Sequence, residues 1–146
     1  MDPVSITGLA ASIVGIIDII GRTVDSLSGI YSRWKHANLT VMLMISQLST
    51  VKAALNEIGE WISSDPAAET AHHQLVIDLR QSVNSCHLIV AFINHHISKF
   101  DWRETDDLTF KSKLRILLQD NATKDSLGAL NSQVNALDLL LTACNA

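Results

Sequence analysis

The sequence predicts an all-α protein, an antiparallel bundle of four to five helices that forms one domain over residues 1–146. Apolar residues recur at alternating spacings of three and four through most of the chain, which is the pattern of amphipathic helices. No strand-like alternation of useful length occurs, and two prolines and six glycines leave room for long helices. Several such helices in one chain can bury one another's apolar sides. A coiled-coil dimer is the alternative arrangement.

The first helix is predicted to start at Asp2-Pro3, where Asp caps free backbone N–H groups and Pro occupies the first helical position. With Ala10 as heptad position a, the a and d positions carry regularly spaced, mostly apolar residues over more than three heptads. They are Ala10, Ile13, Ile17, Ile20, Val24, Leu27, Tyr31 and Trp34. We expect this helix to end or bend between Gly29 and His36.

Two further helices are predicted in the middle of the chain, separated by Asp65-Pro66. The a/d residues of the second are Val41, Met44, Leu48, Val51, Leu55, Ile58 and Ile62. Those of the third are Val76, Leu79, Val83, Cys86, Val90, Ile93, Ile97 and Phe100. Both sets keep the heptad spacing that a packed helix needs.

The last third of the chain is predicted to hold a connector, a short helix and a long helix. The connector runs from Lys99 to Asp107, and the stretch from Gln119 to Thr123 interrupts the helical pattern between the two helices. The apolar residues of the short helix are Phe110, Leu114, Leu117 and Leu118, and those of the long one are Leu127, Leu130, Val134, Leu137, Leu141 and Cys144. Because the chain stops at LLLTACNA without a glycine cap, we expect it to be the N-terminal part of a longer multidomain protein. A naturally short chain with a frayed last turn is the alternative.

Composition and motifs disfavour several function classes. The net charge of −4 argues against a nucleic-acid-binding protein, which normally carries a basic face. No basic region precedes the apolar N-terminus, so we expect a cytoplasmic protein without a secretory signal. No phosphate loop, nucleophile elbow or HExxH motif occurs, and we therefore expect neither an enzyme nor a cofactor or small-molecule substrate.

The remaining polar candidates have a structural interpretation beside the functional one. The pairs His72-His73 and His95-His96 point about 100° apart on a helix, unlike the i, i+4 pair of a zinc helix, so we expect surface histidines and no metal site. Cys86 and Cys144 fall on a/d positions and are expected to pack as small apolar residues. Four cations favour either anionic lipid headgroups or a solvated face: Lys111, Lys113, Arg115 and Lys124.

The first helix carries more apolar residues than its a/d positions need. No charged side chain occurs between Pro3 and Ile17, and several apolar residues lie outside the a/d set: Val4, Leu9, Val14, Ile16 and Ile19. Gly8 and Gly15 fall at heptad position f, away from the core, where small residues permit close helix packing. The pattern is typical of a helix that packs against its own copies or enters lipid. The alternative is a central bundle helix buried on several sides, with Gly where a neighbour crosses.

Length and charge limit how this helix could meet a membrane. Residues 3–20 would extend about 27 Å, close to the hydrocarbon thickness of about 30 Å. Asp18 interrupts this run, although near one end, where the free-energy cost of a membrane-embedded carboxylate is smaller. The sequence therefore predicts marginal constitutive insertion and conditional insertion by several cooperating copies. Substitution of Ile16 and Ile19 by Glu is expected to abolish membrane permeabilisation, because both isoleucines lie outside the a/d set.

Three segments resemble the N-terminal domain of fungal STAND (NLR-like) proteins of the HeLo-like group: MDPVSITGLAASIVGIIDII, ISQLSTVKAALNEIGEWI and LTFKSKLRILLQD with LNSQVNALDLLL. The resemblance implies a helical bundle ahead of an oligomerisation module. It implies a role in programmed cell death, as in innate immunity and heterokaryon incompatibility, by homo-oligomerisation and release of the first helix into the plasma membrane. Membrane insertion would then fall on Val4, Ile6, Leu9, Ile13, Ile16, Ile17, Ile19 and Ile20.

Three functions follow as hypotheses. The first is a signalling effector domain that permeabilises a membrane after clustering. The second is an interaction module that binds itself or another helical domain and never enters lipid. The third is a small-molecule sensor that uses the bundle core.

Overall fold

The structure, a computed structural model, describes residues 4–33, 39–64, 71–99 and 106–145. For residues 4–7 and 107 it describes the backbone alone. Within these ranges the chain forms five helices and no strand. They are α1 (Val4–Arg33), α2 (Leu39–Ser64), α3 (His73–Ser98), α4 (Asp107–Gln119) and α5 (Asn121–Cys144). The predicted all-α bundle is confirmed.

The four long helices form a ring in the order α1, α2, α5, α3. The two neighbours of α1 are α2 and α3, and α5 packs against the other side of the same two helices. A Cβ placed on Gly59 would lie 3.9 Å from Ile13 Cγ2, so the start of α1 lies beside the end of α2. Thr23 contacts Asn94, and both residues lie in the second half of their helices, so α1 and α3 run in the same direction. Consecutive long helices are therefore antiparallel, whereas α1 and α3 lie side by side in parallel.

The short helix α4 lies at the end of the bundle where α1 finishes. The guanidinium carbon of Arg33, the last residue of α1, lies 4.1 Å from the centre of the Phe110 ring. Phe110, Leu114 and Leu118 are buried and attach α4 to the core. The predicted apolar side of this helix is confirmed, with Leu117 half-buried beside it.

The sequence placed the buried sides of α2 and α3 correctly. All seven predicted a/d residues of α2 are buried, as are the seven of α3 from Val76 to Ile97. Ala54 adds an eighth buried residue to α2. On α5 the central positions Leu130 and Leu137 are buried, and the remaining a/d residues are half-buried against the core.

The predicted a/d register of α1 is wrong at alternate positions. The buried residues are Leu9, Ile13, Ile16, Ile20, Thr23, Leu27 and Ile30. Only Ile13, Ile20 and Leu27 belong to both sets, whereas Ala10, Ile17, Val24 and Tyr31 are half-buried on one flank. Both sets have heptad spacing and both are rich in apolar residues. Contact with α2 and α3 decides between them, and the sequence of α1 alone does not contain that information.

The junction between α4 and α5 is shorter than predicted. A single residue, Asp120, separates the two helices, so Asn121 to Thr123 belong to the first turn of α5 rather than to an interruption. The Asp120 carboxylate accepts a hydrogen bond from the Ala122 backbone N–H at 3.2 Å and thereby caps α5. The predicted helix starts at Asp2-Pro3 and Asp65-Pro66, together with Trp34 and Phe100, lie outside the described residues.

Candidate functional site: the N-terminal half of α1

The predicted membrane-contact residues of α1 divide into three groups. Leu9, Ile13, Ile16 and Ile20 are buried in the core. Ile17 and Ile19 are half-buried against that core. The side chains of Val4 and Ile6 lie outside the described part of the chain. The expectation that Leu9 and Ile16 are surplus to the core is wrong, because both are almost completely buried between α2 and α3.

The outward side of α1 is formed by small residues and one larger apolar residue. Gly8, Ala11 and Gly15 are exposed, and Val14 is 69% exposed. Val14 lay outside the predicted a/d set but was not among the predicted membrane-contact residues. Among the described residues of the first half of α1, it is the large aliphatic side chain that the fold leaves open to solvent.

The two glycines are not required by packing within this chain. A Cβ added to Gly8 or Gly15 would meet no atom of another described helix within 4 Å. Within the described residues, the part of the alternative that places a crossing neighbour at these glycines is therefore wrong. Their predicted role in close packing between copies of the chain stays a prediction. Interior helical Gly is unfavourable by about 1 kcal/mol relative to Ala, so these positions lower the intrinsic stability of the helix.

Charge enters the outward side of α1 only at its middle, from Asp18 onward. Asp18 and Arg22 form an exposed i, i+4 ion pair with an N–O distance of 2.8 Å. An exposed pair of this kind stabilises a helix weakly, by about 0.3–0.5 kcal/mol. From Gly8 to Ile17 the exposed side carries no charge. The outward surface of α1 is thus uncharged at its start and polar beyond Asp18.

The buried side of α1 determines how firmly the helix is held. Burying a Leu or Ile side chain contributes about 1.5–3 kcal/mol. Moving Leu9, Ile13, Ile16 and Ile20 from the core into water would therefore cost about 6–12 kcal/mol. Such a cost is of the size of the whole stability of a domain, so α1 leaves the bundle only where its apolar side gains another apolar environment.

The titratable side chains of the described ranges are spread over the helices rather than gathered in one cluster. No group of three His, Cys, Asp or Glu there is placed to hold a metal ion. Cys86 is buried, and this burial raises the pKa of its thiol to about 11, which suppresses its reactivity. His72 is exposed, with its ring 5.8 Å from that of Trp61. His96 Nε2 lies 3.0 Å from Asp120 Oδ2, so this histidine joins α3 to the α4–α5 junction.

By length and composition, one helix of the described part, α2, qualifies as a candidate membrane span. A third of its apolar window is buried within the bundle, and its buried a/d residues form the core against α1 and α5. Core helices of soluble proteins meet the same criterion, so the finding is weak support for membrane contact.

Comparison of the chain with family profiles, with characterised proteins and with solved structures gives no match. The resemblance to the HeLo-like group accordingly stays a prediction from the three sequence segments.

Proposed function

We propose that this chain is a signalling domain of the HeLo-like type, in which clustering of several copies releases α1 and lets it permeabilise a membrane. The observation that carries the proposal is the two-sided character of α1. Its inward side is a row of buried Leu and Ile residues, and its outward side from Gly8 to Ile17 is uncharged and includes the exposed Val14. Once freed, such a helix has no charged side before Asp18 to keep it in water.

Release is consistent with the energetics of burial only when it is coupled to insertion. The four buried aliphatic side chains that hold α1 lose their protein neighbours on release, but lipid offers them equivalent apolar surroundings. Asp18 and Arg22 limit the depth, since a charge near the bilayer centre costs about 2.5–3.5 kcal/mol on insertion scales. Clustering supplies several helices at one place, and the exposed Gly8 and Gly15 allow them to approach closely.

A disulfide that locks α1 to α2 tests the proposal. The variant Ile13→Cys/Gly59→Cys joins side chains that already approach one another, because a Cβ on Gly59 lies 3.9 Å from Ile13 Cγ2. The chain is fused to a coiled coil of fixed copy number, in a Cys144→Ser background, and leakage of dye from vesicles is measured. We expect leakage from the reduced protein and none from the oxidised one.

A second disulfide that leaves α1 free is the control. Ser82→Cys/Gln133→Cys places one thiol on α3 and one on α5, at a place where the native Ser82 Oγ and Gln133 Oε1 lie 3.0 Å apart, and a count of free thiols verifies that the bond has formed. Its oxidation should leave leakage unchanged. Equal loss of leakage with both disulfides would mean that general loosening of the bundle, rather than release of α1, produces the leak.

The second candidate function is an interaction module that acts without lipid. The burial of Leu9, Ile13, Ile16 and Ile20 favours it, because an intact bundle keeps these residues in the core and presents only its outer surfaces to partners. Stable complexes together with intact vesicles, after forced clustering of the reduced protein, would identify this function and refute the first. Deleting residues 2–20 does not separate the two functions, since the deletion also removes part of the core.

A further inference from the structure

The outer surface formed by α3 and α5 lacks charged side chains over most of its length. From Gln81 to Ser98, α3 contains no Asp, Glu, Lys or Arg, and α5 contains none from Ser126 to Leu137. Charged residues make up 18% of the chain, so a stretch as long as the first would be expected to hold about three. We call the outward side of residues 81–98 and 122–137 the α3–α5 face. Depletion of charge is the compositional mark of the centre of a protein–protein interface.

A shallow groove of about 360 Å³ runs between the two helices on this face, and its lining is almost entirely apolar. It is lined by Leu88, Ile89 and Phe92 of α3 and by Ala122, Asp125, Ser126 and Ala129 of α5. Phe92 is held in place by its ring, which stacks on that of His96 at a centroid distance of 5.3 Å. Lys124 and Asp125 are exposed at one end of the groove, where they would belong to the polar rim of an interface.

Large and small side chains lie next to each other along this groove. Ala122, Ala129 and Ala136 recur at intervals of seven residues, so they form one row along α5. Leu88 and Phe92, one helical turn apart, form a row on α3 at the same level of the bundle, since they line the same groove as Ala122 and Ala129. The α3–α5 face therefore carries both a ridge of large residues and a row of small residues into which such a ridge packs.

We propose that a second copy of this chain covers the α3–α5 face in a two-fold symmetric dimer. In such a dimer the same surface of both copies forms the interface, so it has to be complementary to itself. A two-fold axis that runs parallel to the helices places α3 of each copy opposite α5 of its partner at the same level. Leu88 and Phe92 of one copy then pack against the partner's alanine row, and the reverse contact forms at the same time.

The size of the face matches what a stable dimer needs. The 26 residues of α3 and the 24 residues of α5 extend about 39 Å and 36 Å. Two helices of this length, each about 10 Å wide, present roughly 700 Å² side by side. A standard interface buries about 800 Å² from each partner. The second copy is therefore an occupant that the face has room for.

The dimer requires neither a membrane nor release of α1. In the ring of long helices α1 lies opposite α5, so pairing through the α3–α5 face leaves the contacts of α1 with α2 unchanged. With the axis parallel to the helices, the two α1 helices start at the same end of the dimer. The inference goes beyond the proposed function, because it concerns the resting chain. Its test uses the unclustered chain without lipid, so failure of the dimer and failure of membrane leakage are separate results.

Sedimentation equilibrium of the 146-residue chain tests the dimer. We expect a concentration-dependent mass that approaches twice that of one chain. Leu88→Glu and Ala129→Glu should each raise the dissociation constant at least about a hundred-fold, because every substitution occurs twice in a symmetric interface. Leu39→Glu and Ala53→Glu on α2 are the matched controls, with the same change of charge at exposed positions, and should leave the dissociation constant unchanged. Leu39 is 69% exposed and Leu88 is 71% exposed, and circular dichroism verifies that the variants fold.

Disulfide cross-linking between chains tests the orientation of the two copies. Leu88→Cys and Ala129→Cys are made in separate chains, both in a Cys144→Ser background, because the buried Cys86 thiol is unreactive. On oxidation of the mixture we expect a disulfide that joins the two different chains, and much less cross-linking of either chain alone. A monomer at every concentration up to the solubility limit, equal effects of test and control variants, or equally efficient cross-linking of Leu88→Cys chains to one another would overturn the proposal.

Discussion

Thr23 of α1 donates a hydrogen bond to Asn94 of α3, with an Oγ1–Oδ1 distance of 2.9 Å, across an interface that is otherwise largely apolar. Thr23 is completely buried. Its hydroxyl also lies 2.8 Å from the carbonyl oxygen of Ile19, so the proton is shared between a local and a long-range acceptor. A buried polar contact of this kind is satisfied at only one axial position of the two helices. It therefore fixes the register in which α1 lies parallel to α3.

Replacing Thr23 by Val should destabilise the bundle by about 1–2 kcal/mol, because the isosteric side chain keeps the packing and leaves Asn94 without its partner. Urea denaturation followed by circular dichroism measures the loss. The control is Thr50→Val on α2, where an exposed hydroxyl makes only the local bond to the Ser46 carbonyl at 2.9 Å. Equal effects at the two positions would mean that the contact between helices adds no stability.

The fold was predictable where one apolar side dominates a helix and not where two compete. On α2 and α3 a single row of apolar residues coincides with the buried row. On α1 two overlapping rows share Ile13, Ile20 and Leu27, and the packing of α2 and α3 buries the row that contains Leu9 and Ile16. The parallel pairing of α1 with α3 is likewise a tertiary outcome that no local pattern encodes.

The corrected register makes opposite predictions for two neighbouring residues. Ile16→Glu places a carboxylate in the core and should destabilise the bundle by at least about 4 kcal/mol, whereas Val14→Glu on the exposed side should change stability by less than about 0.5 kcal/mol. Thermal unfolding separates the two. Val14→Glu is consequently the variant with which to test membrane activity, since any loss of leakage would not come from unfolding. Comparable destabilisation by both variants would contradict the register.

The candidate site was predicted in position but not in detail. An uncharged N-terminal helix was evident from the sequence, yet its outward apolar residue is Val14 rather than Leu9 or Ile16. The cations of α4 were recognised as candidates for headgroup contact. Their contact with lipid stays a prediction. That the uncharged stretches of α3 and α5 lie side by side follows only from the packing of the two helices.

The Asp120 carboxylate should make stability depend on pH at the acidic end. The hydrogen bond from the Ala122 backbone N–H, followed by that with His96, lowers the pKa of Asp120 below its ordinary value of 3.8. A depressed pKa in the folded state contributes stability above the unfolded value, and this contribution is lost as the pH falls through the folded value. The native chain should therefore have a higher free energy of unfolding than Asp120→Asn near neutral pH, and this difference should shrink below pH 3.8. Urea denaturation across this pH range measures the difference, with Asp138→Asn as the control. A difference that persists to the lowest pH would contradict the role given to the Asp120 carboxylate.

Gln47 on α2 offers a stabilising substitution. Its Oε1 is buried and has no hydrogen-bond partner among the described residues, so the folded state bears the desolvation of an acceptor without compensation. Gln47→Met, of similar shape, should raise the free energy of unfolding by about 1 kcal/mol.

Gln133 is the matched control, because it is also half-buried but accepts a hydrogen bond from the Ser82 hydroxyl at 3.0 Å. Gln133→Met should lower stability by about 1 kcal/mol. Urea denaturation of both variants under the same conditions checks the opposite signs, and destabilisation by Gln47→Met would show that this amide has a partner in solution.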